Sequence, residues 1–143
     1  MIEPLRDDCT ERYSAFRVKW AKLWDGGRGL LRKSLLRQLR LRPDIEYKDL
    51  WANEEELQIA TYSVRTCKEL LGLPNERLVP GDTFEMIAAA DAYGGDGFLD
   101  VLLTLEREFR LDLKDVIEKP TTLSDLVRYV REKRQKSEKD SSG

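Results

Sequence analysis

Six of the seven carboxylates in residues 78 to 109, Asp82, Asp91, Asp96, Asp100, Glu106 and Glu108, could pair for chemistry around the glycines Gly94, Gly95 and Gly97. Two carboxylates in a dry cleft can divide the roles of general acid and general base, because their surroundings pull their pKa values apart. That chemistry needs burial, and acids spaced along a helix more commonly make a solvated face. Phe98, Leu99, Leu102, Leu103, Leu105 and Phe109 follow the glycines at helical spacing. The stretch therefore reads as a turn feeding an amphipathic helix, with Asp100, Glu106 and Glu108 opposite the buried side. No catalytic residue and no enzymatic activity are expected.

Metal and thiol chemistry fare no better. Residues 91 to 102 have the length of a calcium loop, but Tyr93, Gly95 and Leu102 stand where oxygen ligands are required. No Gly-Lys-Ser/Thr follows the glycines, so they do not form a phosphate loop. The chain has no histidine and only two cysteines, Cys9 and Cys67, which excludes most zinc ligand sets and any imidazole-dependent dyad. Cys67 falls on an apolar helix face and reads as core. Neither a metal nor a cofactor is expected.

The 143 residues must position these groups, and their charge is unevenly spread. Residues 1 to 42 carry 11 Lys/Arg against 5 Asp/Glu, whereas residues 43 to 119 carry 8 against 18. One domain with a basic extension is the simplest organisation. A helix is predicted over residues 8 to 24, opened by an Asp8/Glu11 capping box, with Tyr13, Phe16, Trp20, Leu23 and Trp24 forming an apolar stripe that must pack on something. Asp25-Gly26-Gly27 breaks it. A second, basic helix follows over about residues 29 to 41 and ends at Pro43. Such a helix can lie on an anionic membrane, hold phosphates or dock on an acidic protein. Missing aromatic interleaving and a strongly acidic neighbour argue against nucleic acid. An acidic protein surface, met through Arg32 and Arg37, is the leading functional alternative to plain packing, and a membrane surface the lesser one.

Residues 44 to 52 form a connector, either an extended segment or a turn. Asn53 with Glu56 then caps a helix carrying Leu57, Ala60, Val64, Cys67 and Leu71, which Gly72-Leu73-Pro74 ends. Met86, Ile87 and the following alanines suggest a short helix or turn before the glycines. Beyond Phe109, Val116 and Ile117 suit a brief helix ended by Pro120. A last helix starts at Thr122 with Asp125 in its first turn and Leu123, Leu126, Val127 and Val130 inward. The fold class is all-α, divided as residues 1–51 (basic helical extension), 52–136 (helical module) and 137–143 (disordered tail). The longest apolar runs fall far below the roughly 18 residues of a membrane span, so a cytoplasmic protein is expected.

Residues 52 to 136 resemble an acyl carrier protein, through Pro80-Gly81-Asp82-Thr83-Phe84, the glycine turn, Leu105-Glu106-Arg107-Glu108-Phe109, Leu111-Asp112-Leu113 and Pro120-Thr121-Thr122-Leu123. The resemblance implies a four-helix bundle preceded here by two helices. In that family a serine at the turn carries a phosphopantetheine arm, and the acidic helix after it meets basic patches on partner enzymes. Alignment places Gly95 or Gly97 at the serine, and no serine lies between Ser63 and Ser124. The chain is thus similar to a serine-less branch of bacterial acyl-carrier-like proteins. The resemblance implies a non-catalytic recognition module, presenting Asp96, Asp100, Glu106 and Glu108 to a protein with a basic surface. The alternative is an atypical carrier of fatty-acid or polyketide type, holding its cargo noncovalently or on another residue.

Overall fold

A computed structural model describes residues 2–44, 46–93, 97–113 and 121–142, of which 137–142 by backbone alone. Among them are seven α-helices and no strand: α1 (Cys9–Arg12), α2 (Ala15–Asp25), α3 (Arg28–Leu41), α4 (Glu54–Leu71), α5 (Phe84–Ala89), α6 (Gly97–Phe109) and α7 (Leu123–Ser142). The connector before α4 resolves into a single 3-10 turn, Tyr47–Asp49. The brief helix expected around Val116, Ile117 and Pro120 lies outside the described residues.

The single helix predicted over residues 8 to 24 is two. Tyr13 is extended and Ser14 caps α2, its hydroxyl accepting from Arg17 N at 3.2 Å. The expected capping box does not form because both of its acids have other partners. Glu11 pairs with Arg6, while the buried Asp8 carboxylate accepts from Ser34 on α3 and from Arg12 Nε at 2.6 Å. Burial alone would raise the Asp8 pKa, but the bonds from Ser34 and Arg12 outweigh it and hold the carboxyl below its ordinary value.

Asn53 caps α4 as the sequence predicts, its Oδ1 accepting from Glu56 N at 2.9 Å, and Glu56 reaches back to Ala52 N at 3.2 Å. Gly72 ends α4 in the left-handed conformation, φ 66°, where a side chain would be strained. Thr122 and Asp125 make a reciprocal capping box on α7, at 3.1 and 3.2 Å. α7 runs on through residues 137–142, which the sequence assigns to a tail.

α4 is the central element and packs against α6 and α7, while α3 packs on α2 and α5. One core joins both sides of the 51/52 boundary. Leu5, Leu35, Leu39 and Trp51 lie in the same cluster as Ile59, Val64, Cys67, Leu71, Leu102, Leu105, Val127 and Val130. The basic helix α3 therefore packs in cis through its leucines. A smaller cluster of Cys9, Val18 and Leu30 fastens α1 and α2 to α3.

Asp82 ties these parts together. Its fully buried carboxylate takes a two-pronged pair from Arg42, at 2.7 and 2.8 Å, and the amides of Leu5 and Val79, each at 2.8 Å. The remaining reach of Arg42 goes to the carbonyls of Arg77 and Glu3. Removing one partner of such a pair leaves a buried charge unmatched. Asp82→Ala is expected to lower unfolding free energy in urea by about 3–5 kcal/mol, and Asp100→Ala, at an exposed position, by no more than about 0.5 kcal/mol. Equal effects would mean that the pair does not organise the fold.

Candidate functional site

The six carboxylates separate into structural and surface groups. Asp82 is spent on Arg42. Asp91 is buried, and accepts from Tyr93 N at 2.9 Å and from Gly97 N at 3.3 Å, so it caps the start of α6 from outside the helix. Asp96 and Gly95 lie outside the described residues. Glu106 is half-buried and its Oε1 accepts from Leu113 N at 3.0 Å, which folds the segment after α6 back onto the helix. Asp100 and Glu108 are exposed and enter no ion pair among the described residues.

At about 100° per residue, Asp100 and Glu108 stand about 80° apart around α6, while Glu106 lies about 120° from Asp100. The acids thus form no single stripe. Between them the helix leaves Leu99 and Leu103 about half exposed, one turn apart. The sequence places both on the buried face, whereas the core side is made by Val101, Leu102 and Leu105, with Phe98 and Phe109 at its edges. Phe109 meets Tyr62 of α4 edge-on at 5.6 Å, and Phe98 meets Phe84 of α5 at 5.2 Å. Those two anchors fix the rotation of α6 and turn Leu99 and Leu103 outward. This surface is mixed, with the two leucines and Asp100 beside the exposed Arg107, a feature that counting charges does not reveal.

The thiols are chemically quiet. Burial pushes Cys67 up to about 12, and burial together with Asp7 pushes Cys9 up to about 11. A thiol in that range carries almost no thiolate near neutrality and makes a poor nucleophile. Among the described residues no three Cys, Asp or Glu side chains converge as a metal cage would.

Gly97, the first residue of α6, is one of the two glycines that the alignment places at the serine. A Cβ there would stand 2.8 Å from Asp91 Oδ2 and 2.9 Å from Leu71 Cδ2. Neither neighbour can move freely, since Leu71 is fully buried and Asp91 is fixed by its two amides. A serine at this position would point into packed atoms rather than present a hydroxyl to a modifying enzyme. Attaching a phosphopantetheine arm through a side chain at Gly97 would require Asp91 or Leu71 to shift.

Arg32 and Arg37 do not share a face. They lie about 140° apart around α3; Arg37 is exposed, whereas Arg32 is half-buried with its Nε orphaned. The aromatic stripe of α2 is the element whose place differs most from expectation. Only Tyr13 packs, on the small cluster, and Phe16, Trp20, Leu23 and Trp24 remain at the surface. Its spacing was visible in sequence; its lack of cover among the described residues was not.

Gly97→Ser is expected to cost about 1–3 kcal/mol, the usual penalty of overpacking, read as a lower urea midpoint, and to acquire no mass increment when incubated with coenzyme A and a phosphopantetheinyl transferase. Unchanged stability together with a new adduct would show that the position is a vacant carrier site. Compared with protein-family models, curated proteins and solved structures, the chain finds no match.

Proposed function

We propose that this chain is a non-catalytic protein-recognition module of acyl-carrier-like, four-helix arrangement, not phosphopantetheinylated, that meets a partner with a basic surface through α6. The observation that carries the reading is the outer face of α6, where Leu99 and Leu103 stand exposed between Asp100 and Glu106, with Glu108 farther round a helix whose other side is core. Exposed leucines flanked by acids suit a partner that offers an apolar patch with a cationic rim. The basic arm does not take that place, since α3 packs on α2 and α5. The arrangement of α4 against α6 and α7, with Gly97 opening α6, supports the carrier-like part of the reading.

Noncovalent carriage of an acyl chain is the competing reading, and it needs room between α4, α6 and α7. Ile59, Val64, Leu105 and Val127, which would line such a room, are fully buried against one another in the shared core. No specific observation favours it.

Charge complementarity of this kind accelerates association and weakens with salt. The immobilised protein should therefore capture a partner from lysate of its own cells less well at raised ionic strength. The Asp100→Lys/Glu108→Lys and Leu99→Ser/Leu103→Ser double variants should each reduce capture about ten-fold or more while keeping the wild-type urea midpoint. Capture that ignores salt and both double variants would rule out α6 as the recognition face.

A further inference from the structure

The hairpin of α2 and α3 carries a second surface that the recognition reading leaves unused. Phe16 is 73% exposed, Trp20 55%, Leu23 73% and Trp24 86%. At about 100° per residue these four fall within an arc of about 100° on α2 and run about 12 Å along it. Val18 and Ala21 hold the opposite side against Cys9, Leu30 and Leu31. Burying the remaining side would require something outside the described chain.

The charges around the stripe say what that is. Lys19 flanks one edge and Arg17 the other, with the exposed Lys22 farther round the helix, and residues 15 to 41 hold eight Lys/Arg against a single acid, Asp25. Asp25 is committed to the turn, accepting from Gly27 N at 2.9 Å and Gly29 N at 3.0 Å. Lys33, Arg37 and Arg40 extend the cationic zone along α3. Trp20 and Trp24 border an open groove against Leu30 and Lys33 of α3, so the aromatic and cationic groups make one continuous surface. Two tryptophans at the level of flanking cations are what a lipid headgroup region accommodates, with ring bodies in the acyl boundary and long cationic stems reaching to phosphates.

We infer that α2 is a peripheral membrane-docking element that lays Phe16, Trp20, Leu23 and Trp24 into the interface of an anionic phospholipid bilayer. Immersion is shallow, of the order of 5–10 Å. No helix among the described residues is long and apolar enough to cross a membrane, so attachment is from one side. The lysines and arginines supply the attraction to anionic headgroups, each worth about a five-fold change in partitioning near the surface.

The test uses the full chain and extruded vesicles of phosphatidylglycerol mixed with phosphatidylcholine, against vesicles of phosphatidylcholine alone. Trp51 is buried, so a change in tryptophan emission reports on Trp20 and Trp24. The expected result is co-flotation with the anionic vesicles only, accompanied by a blue shift and acrylamide protection, and reversed by salt. Trp20→Ser/Trp24→Ser should abolish co-flotation, and Lys19→Gln/Lys22→Gln should weaken it about thirty-fold, with Lys19→Arg/Lys22→Arg restoring it. Circular dichroism controls for folding, and Trp24→Ser alone serves if the double variant is unfolded.

Three results would overturn the inference. Absence of binding to the anionic vesicles is one, and binding that the tryptophan variants leave intact is another. The third is a dimer in analytical ultracentrifugation, or capture of an acidic protein, that depends on Trp20 and Trp24 while vesicles are ignored. That last result would assign the stripe to a protein partner.

Discussion

The structure depends on one buried ion pair. Asp82 offers two carboxylate oxygens, and each receives two donors: Arg42 Nη2 and Leu5 N on Oδ1, Arg42 Nη1 and Val79 N on Oδ2. A carboxylate in the interior is tolerable only when its lone pairs are filled in this way. Three distant parts of the chain supply the donors, so satisfying one charge fixes the amino-terminal segment, the end of α3 and the loop after α4 in a single arrangement. The backbone of the same residue extends the reach, because Leu123 N donates to the Asp82 carbonyl at 2.9 Å and Thr83 bridges to Thr122. An arginine is needed opposite, since only its planar fork can meet both oxygens and still reach the carbonyls of Arg77 and Glu3.

With α3 and α7 held from this point, α4 is enclosed and the open surfaces lie on α6 and α2. α6 is rotated by Phe98 and Phe109 so that leucines and acids share its exterior, and its first residue has no space for a side chain because Leu71 and Asp91 fill it. α2 is held by Val18 alone among its buried residues, which leaves its aromatic residues uncovered. The molecule thus offers an acidic apolar helix face and a cationic aromatic one, on separate elements. Among the described residues the buried acids are committed elsewhere, Asp8 to Ser34 and Arg12, Asp82 to Arg42 and amides, and Asp91 to amides.

Local signals were legible in the sequence wherever a short-range interaction decides the outcome. Asn53 with Glu56, Gly72, and Thr122 with Asp125 each mark an end of α4 or α7 through bonds made within a few residues. The inward sets of those helices, including Cys67 and Val127, follow from periodicity alone. What the sequence concealed depends on long-range partners. Asp8 looks like a cap until Ser34, twenty-six positions away, claims it. Asp82 looks like one acid of a cluster until Arg42 reaches it. Leu99 and Leu103 look like core because apolar character does not say which way a helix is turned. The α2 stripe was legible as a contact surface, though not that the rest of the described chain leaves it open.

The central claim, a carrier-like scaffold used for recognition without carrier chemistry, is tested most directly by the intact mass of the protein isolated from the cells that make it. The account predicts the mass of the unmodified polypeptide, with fragmentation placing no phosphopantetheine or acyl group on any residue. An adduct of that kind, at a serine, cysteine or any other side chain, would contradict it and return the protein to acyl-carrier chemistry.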